Sequence, residues 1–185
     1  PGVGGKLSMR RLRALLCGLA LLLALPLAAA PPELLLANVY RDDIDPAAYL
    51  VSEKLDGVRA VWDGETLRFR SGNRVNAPAW FTDALPKTPM DGELWLGRGQ
   101  FERLSGIVRR EQPVDAEWRE VRYMIFELPG APGTFAERAG RIRAIVAAAA
   151  LPWLAEVPQA TLASREALRQ RLAQTVKAGG EGLML

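Results

Sequence analysis

The sequence predicts an α+β fold in which antiparallel sheets are flanked by helices. Three observations carry that prediction. Short apolar or alternating runs are punctuated by Gly, Pro and Asn turns as far as residue 130. A first helical pattern follows, and a second stands near the end of the chain.

In order, Leu34 to Ala37 is apolar, and residues 41–46 form a polar loop that ends on Pro46 and leads into Tyr49. Val51 and Leu55 precede Asp56-Gly57, and Val58, Val61 and Trp62 follow it, which reads as a hairpin because Gly tolerates the positive φ of a tight turn. Residues 58–62, 66–70 and 92–96 are strand-like and are separated by Asp63-Gly64, Gly72-Asn73 and the Pro86 to Pro89 stretch. "VRYMIFEL" at 121–128 is a further strand, ended by Pro129-Gly130.

In "FAERAGRIRAIVAAAA", Phe135, Ala139, Ile142, Val146 and Ala149 share one helical face, while Arg138, Arg141 and Arg143 lie on the others. In "SREALRQRLAQTVKAGG", Leu168, Leu172 and Val176 repeat at i, i+4 and i+8. Ser164 can cap that helix and Gly179-Gly180 stop it. A last strand begins at "EGLML".

Composition removes several chemistries. There are no histidines and one cysteine among 185 residues, so imidazole bases, His-based triads, thiolate metal clusters and internal disulfides are excluded. Catalysis must rest on Lys, Arg, carboxylates, hydroxyls, or a hard cation such as magnesium that prefers oxygen ligands.

Residues 9–30 read as a signal peptide. Arg10, Arg11 and Arg13 form a basic start, residues 14–25 are uncharged and apolar, and Pro26 with Ala28-Ala29-Ala30 supplies a cleavage region. The run is shorter than the roughly 20 apolar residues that span a bilayer, so no stable membrane insertion is expected after cleavage. Cys17 lies within it, which leaves a mature chain without cysteine and suits an oxidising, periplasmic location. Lys6, Arg10, Arg11 and Arg13 against Glu33 account for the net charge of +3, so residues 34–185 carry 20 basic and 20 acidic groups. A nucleic-acid surface must therefore be a local patch.

Five short elements recur in order: "KLDGVR" at 54–59, "RSGN" at 70–73, "MDGELWLGRGQF" at 90–101, "YMIFE" at 123–127 and "EGLML" at 181–185. Together they resemble the covalent nucleotidyltransferases, which comprise ATP-dependent DNA ligases, RNA ligases and RNA capping enzymes. "NAPAWF" and "GRGQFERLSGIVRRE" look most like the minimal bacterial ATP-dependent DNA ligases that carry a secretion signal.

The resemblance implies an ATP-grasp-like, antiparallel-sheet adenylation domain over 31–185 and a reaction with ATP and Mg2+ at nicked double-stranded DNA. Lys54 is the expected nucleophile, since an amine attacking the α-phosphate gives a phosphoramidate able to pass AMP onward. It must react as the neutral amine, a form that cations such as Arg59 and a bound metal would favour. By the same resemblance Arg59 contacts the nucleotide or nick phosphate, Glu93 accepts a hydrogen bond from the ribose, and Phe126 stacks on adenine. Arg70 grips the 5′-phosphate of the nick and Glu181 helps hold the metal. Glu127 replaces an aspartate common there, and its role stays open. Arg98, Arg103, Arg109 and Arg110, or the face bearing Arg138 to Arg143, are candidate holders of the DNA backbone.

The family continues past this last motif with a lysine-bearing strand and a small OB-fold domain. The chain is therefore expected to be incomplete at its C-terminus, to fold poorly with one sheet left open, to act as a monomer, and to adenylate itself inefficiently. An RNA ligase, a catalytically inactive secreted nucleotide-binding or nucleic-acid-binding protein, and a membrane-tethered structural domain are the alternatives.

Overall fold

Alternating apolar residues make strands where one face can be buried, and the computed structural model, which describes residues 34–185, assembles them into two sheets. The expected signal at 9–30 lies outside the described residues. Strands β1 (Leu50–Lys54), β2 (Val58–Trp62), β3 (Leu67–Phe69), β4 (Met90–Trp95), β5 (Arg122–Glu127), β6 (Leu154–Glu156), β7 (Ala160–Thr161) and β8 (Gly182–Met184) alternate with five α-helices. The helices are α1 (Ala79–Thr82), α2 (Phe101–Val108), α3 (Asp115–Trp118), α4 (Phe135–Ala149) and α5 (Arg165–Lys177).

The larger sheet has the order β3-β2-β4-β5-β6, antiparallel except for the β5–β6 pair, which is parallel and connected through α4. The smaller sheet has the order β7-β1-β8 and is antiparallel throughout. The α+β expectation with antiparallel sheets holds.

The core lies under the larger sheet. Leu104, Ile107 and Val108 of α2, spaced i, i+3, i+4, pack with Trp62, Met90, Leu94 and Tyr123. The Tyr123 hydroxyl satisfies its burial by sharing a proton between the carbonyls of Ala60 and Met90, at 2.9 and 3.0 Å. An aromatic group closes one side: Trp80 meets Trp153 edge-on at 5.1 Å, and Phe81 meets Trp118 at 4.9 Å.

The two long helices follow the capping rules. Thr134 and Glu137 form a reciprocal capping box on α4, and Ser164 accepts from Ala167 N at 3.2 Å on α5. At the end of α5 the Gly179 N–H bonds Val176 O and the Gly180 N–H bonds Thr175 O, both at 2.9 Å. With Gly179 at φ 83°, that is a Schellman turn. No helix among the described residues is long and apolar enough to cross a membrane.

Two expectations are corrected. Asp56-Gly57 does not join a hairpin: β1 pairs with β7 and β8, whereas β2 pairs with β3 and β4, so the dipeptide carries the chain from one sheet to the other. Gly57 is not needed for a positive φ either. A Cβ there would sit 2.3 Å from Leu94 O and 2.6 Å from Glu93 Cγ, so close backbone approach is what demands glycine. Helix α5 also differs, because Leu168 is buried while Leu172 and Val176 are 42% and 53% exposed. Its packed side includes Thr175 instead.

Gly57→Ala is expected to destabilise the fold by about 1–3 kcal/mol, the usual cost of overpacking, because the obstructing atom is a strand carbonyl. Urea denaturation at neutral pH measures it.

Candidate active site

Lys54 ends β1, where it pairs in register with Gly182 of β8. Its ammonium group contacts the Glu181 carboxylate, and its side chain is 48% exposed. The Schellman turn after α5 accounts for that meeting, since it reverses the chain so that Glu181 enters β8 beside Lys54.

Across the crossover, β2 and β4 bring a second group together. Arg59 pairs in register with Glu93 and lies diagonal to Asp91. Asp91, 1% exposed, takes the Arg59 guanidinium in two bonds, Nε to Oδ1 at 3.1 Å and Nη2 to Oδ2 at 2.7 Å. Nη2 also donates to the Leu35 carbonyl at 2.9 Å. The same guanidinium stands 5.2 Å from the centre of the half-buried Phe126 ring. Burial pushes the Asp91 carboxyl up, against the pull of Arg59, and the neighbouring Glu127 adds to the rise.

Glu93 is the group left without a salt-bridge partner among the described residues. Burial raises its carboxyl to about 7, Arg59 opposes the shift, and the carboxylates of Asp91 and Asp56 reinforce it. The Gly57 amide on the crossover works against the rise. A half-buried acceptor at the crossover, beside a half-buried aromatic ring, suits a sugar hydroxyl and a flat base, so the residues present fit an adenine nucleotide.

Glu127 now has a role. Its carboxylate is gripped by Arg138 Nε at 2.6 Å and Nη2 at 2.7 Å, and it accepts from Leu128 N at 2.8 Å, which staples β5 to α4. Arg70 is exposed in the turn after β3, directly following Phe69, which pairs with Ala60, the neighbour of Arg59 on β2.

The expected environments of Lys54 and Arg59 are corrected: Lys54 faces a carboxylate, and Arg59 is neutralised by Asp91. The two arginine clusters proposed for DNA are largely occupied by local partners. Arg98 binds Glu53, Arg103 binds Glu120, Arg110 binds Glu117, Arg138 binds Glu127, and Arg143 binds Glu156. Asp91 was missed as a site residue, although its place two residues before Glu93 on a strand puts both on one face.

No three acidic or Cys side chains cluster as a metal cage among the described residues. One carboxylate, Glu181, stands beside the nucleophile candidate, which fits magnesium's habit of binding through one or two carboxylates plus substrate phosphates.

No family model matches the chain. It is 31% identical over 167 residues to the DNA ligase of Haemophilus influenzae, a match covering 90% of this chain and 61% of that protein. It is also similar to a solved Lig E DNA ligase, with 46% identity and a TM-score of 0.77 over 82% of this chain and 60% of that one. The Chlorella virus DNA ligase-adenylate shares the fold at a TM-score of 0.60 and 16% identity, over 73% of this chain and 51% of that one. The chain thus spans about three fifths of the length of the first two.

The raised Glu93 carboxyl sets a pH dependence. A group raised on folding supports the fold fully below its ordinary value of 4.5 and loses that support as pH climbs through about 7. Glu93→Gln, neutral throughout, is expected to be more stable than the parent by roughly 1–3 kcal/mol at pH 8, a gap that shrinks below about 1 kcal/mol at pH 5. Urea titrations at the two pH values test this.

Proposed function

We propose that the chain works as the DNA ligases it resembles do, sealing nicks in double-stranded DNA with ATP, on the support of its similarity to the Haemophilus influenzae and Lig E enzymes and of its ligase-like fold. The observation that carries the reading is the convergence of Lys54 and Glu181 from one sheet on a crossover flanked by Arg59, Glu93 and Phe126 of the other.

Phe126 offers its ring to adenine, and Glu93 accepts from the ribose. Lys54 Nζ attacks the α-phosphorus, the bond to the leaving pyrophosphate breaks, and a lysyl-AMP phosphoramidate forms. The ammonium proton passes to solvent, a loss favoured once magnesium takes Glu181 from its contact with Nζ. Magnesium held by Glu181 and the phosphates would offset charge on the pyrophosphate. AMP then passes to the 5′-phosphate of a nick, where Arg70, exposed and without an ion pair among the described residues, supplies a planar donor set. Attack by the 3′-hydroxyl on that phosphate releases AMP and closes the strand.

Arg59 acts in this scheme through its hold on Asp91 and its place over Phe126, with Nη1 left over for phosphate. The signal at 9–30 directs a monomeric enzyme to the periplasm, where joining of imported or damaged DNA is the work it would do. DNA rather than RNA is preferred because the relatives named are DNA ligases.

The test is incubation of the whole reading-frame product with α-labelled ATP and magnesium. Acid-stable label is expected on the parent and none on Lys54→Ala. Phe126→Ala should raise the ATP concentration needed by about 5- to 150-fold, the worth of a stacking contact of about 1–3 kcal/mol. Label that survives Lys54→Ala would overturn the assignment.

A further inference from the structure

The loop after β4 places Arg98 between glycines 97 and 99, both at positive φ, and this side chain reaches out of the larger sheet into the smaller one. Its Nε and Nη2 each meet a Glu53 oxygen at 2.7 Å, a planar two-point grip on the residue beside Lys54. Its Nη1 donates at 3.1 Å to the Ala178 carbonyl, the C-cap of α5, where the helix dipole favours a cation.

One guanidinium therefore holds both ends of the segment pair that delivers the nucleophile: β1 next to Lys54, and the helix end that turns through Gly179-Gly180 to Glu181. Crowding supports a fixed arrangement. A Cβ at Gly180 would lie 2.8 Å from Glu53 Oε1 and 2.6 Å from Thr175 Cγ2. The Arg98 hydrogen bond is also the largest influence on the Glu53 carboxyl, which it holds below its ordinary value. An isolated exposed pair contributes little to stability, but two parallel bonds plus a third to a helix terminus form a network.

We propose that Arg98 is a positioning residue, a clamp between the two sheets that sets the meeting of Lys54 with Glu181. It touches neither group. Its catalytic consequence rests on the reading of Lys54 as the nucleophile, whereas its structural consequence does not.

The experiment has two arms. Hydrogen exchange on the intact protein compares the parent with Arg98→Ala, Arg98→Lys and Glu53→Gln. The amides of Gly179, Gly180 and β8 are expected to exchange at least about tenfold faster in all three variants, while β4 and β5 keep their rates. Lysine is expected to fail because an ammonium cannot make the planar grip. Unchanged exchange at those amides, or a uniform rise over the whole chain, would overturn the clamp.

The second arm follows Lys54 labelling by α-labelled ATP. Arg98→Ala should slow the step about tenfold or more and leave the ATP concentration for half-maximal rate unchanged, because Phe126 and Glu93 belong to the other sheet. A changed ATP requirement with an unchanged maximal rate would contradict the proposal. Lys54-independent labelling in the parent would remove the nucleophile reading alone, and the exchange arm would still decide the clamp.

Discussion

The passage of the backbone from β1 to β2 through Gly57 is the constraint on which the other features depend. A three-residue link joins the two sheets there, as another does between β6 and β7, and the first fits only because no side chain intervenes between it and the Leu94 carbonyl. That contact seats the crossover, which begins directly after Lys54, against Leu94 and Glu93 of the larger sheet.

Charge is distributed around that crossover according to burial. Asp91 and Glu127 lie opposite each other on β4 and β5, a like-charge pair that would be costly by itself. Arg59 and Arg138 grip them from either side, so the two carboxylates lie between two guanidinium groups. Removing one member would strand a buried charge, at a cost of about 3–5 kcal/mol in comparable pairs. Glu93 stands outside that arrangement, and burial without a cation of its own keeps its carboxyl near 7. The paired carboxylates are held in place by their guanidinium partners, and Glu93 alone of the three acids has no such partner among the described residues. Lys54 and Glu181, each well exposed, sit where solvent and phosphate can reach.

Much of this was legible in the sequence because it is local. Strand alternation, the Thr134 and Ser164 caps, the Gly179-Gly180 stop and the ordered motifs around Lys54, Glu93, Phe126 and Glu181 are written in neighbouring residues. What escaped is set by tertiary pairing. Asp56-Gly57 carries a hairpin signature, and nothing nearby shows that the following strand joins another sheet. Leu172 and Val176 satisfy a helical period although the buried side of α5 runs through Leu168 and Thr175. The eight-residue α2 carries Leu104, Ile107 and Val108 at helical spacing, but two turns with Gly106 inside them are too few to separate a helix from a loop. The arginines read as a DNA surface are matched by acids up to 45 residues distant, and such partners are invisible to composition.

The central claim is that both sheets contribute to one nucleotide site at the crossover. A crystal structure of the protein with bound AMP or a non-hydrolysable ATP analogue tests it most directly. The account predicts adenine against Phe126, the ribose hydroxyl on Glu93 and the α-phosphate within reach of Lys54. A nucleotide bound in contact with only one of the sheets, or lodged away from Lys54, would contradict it.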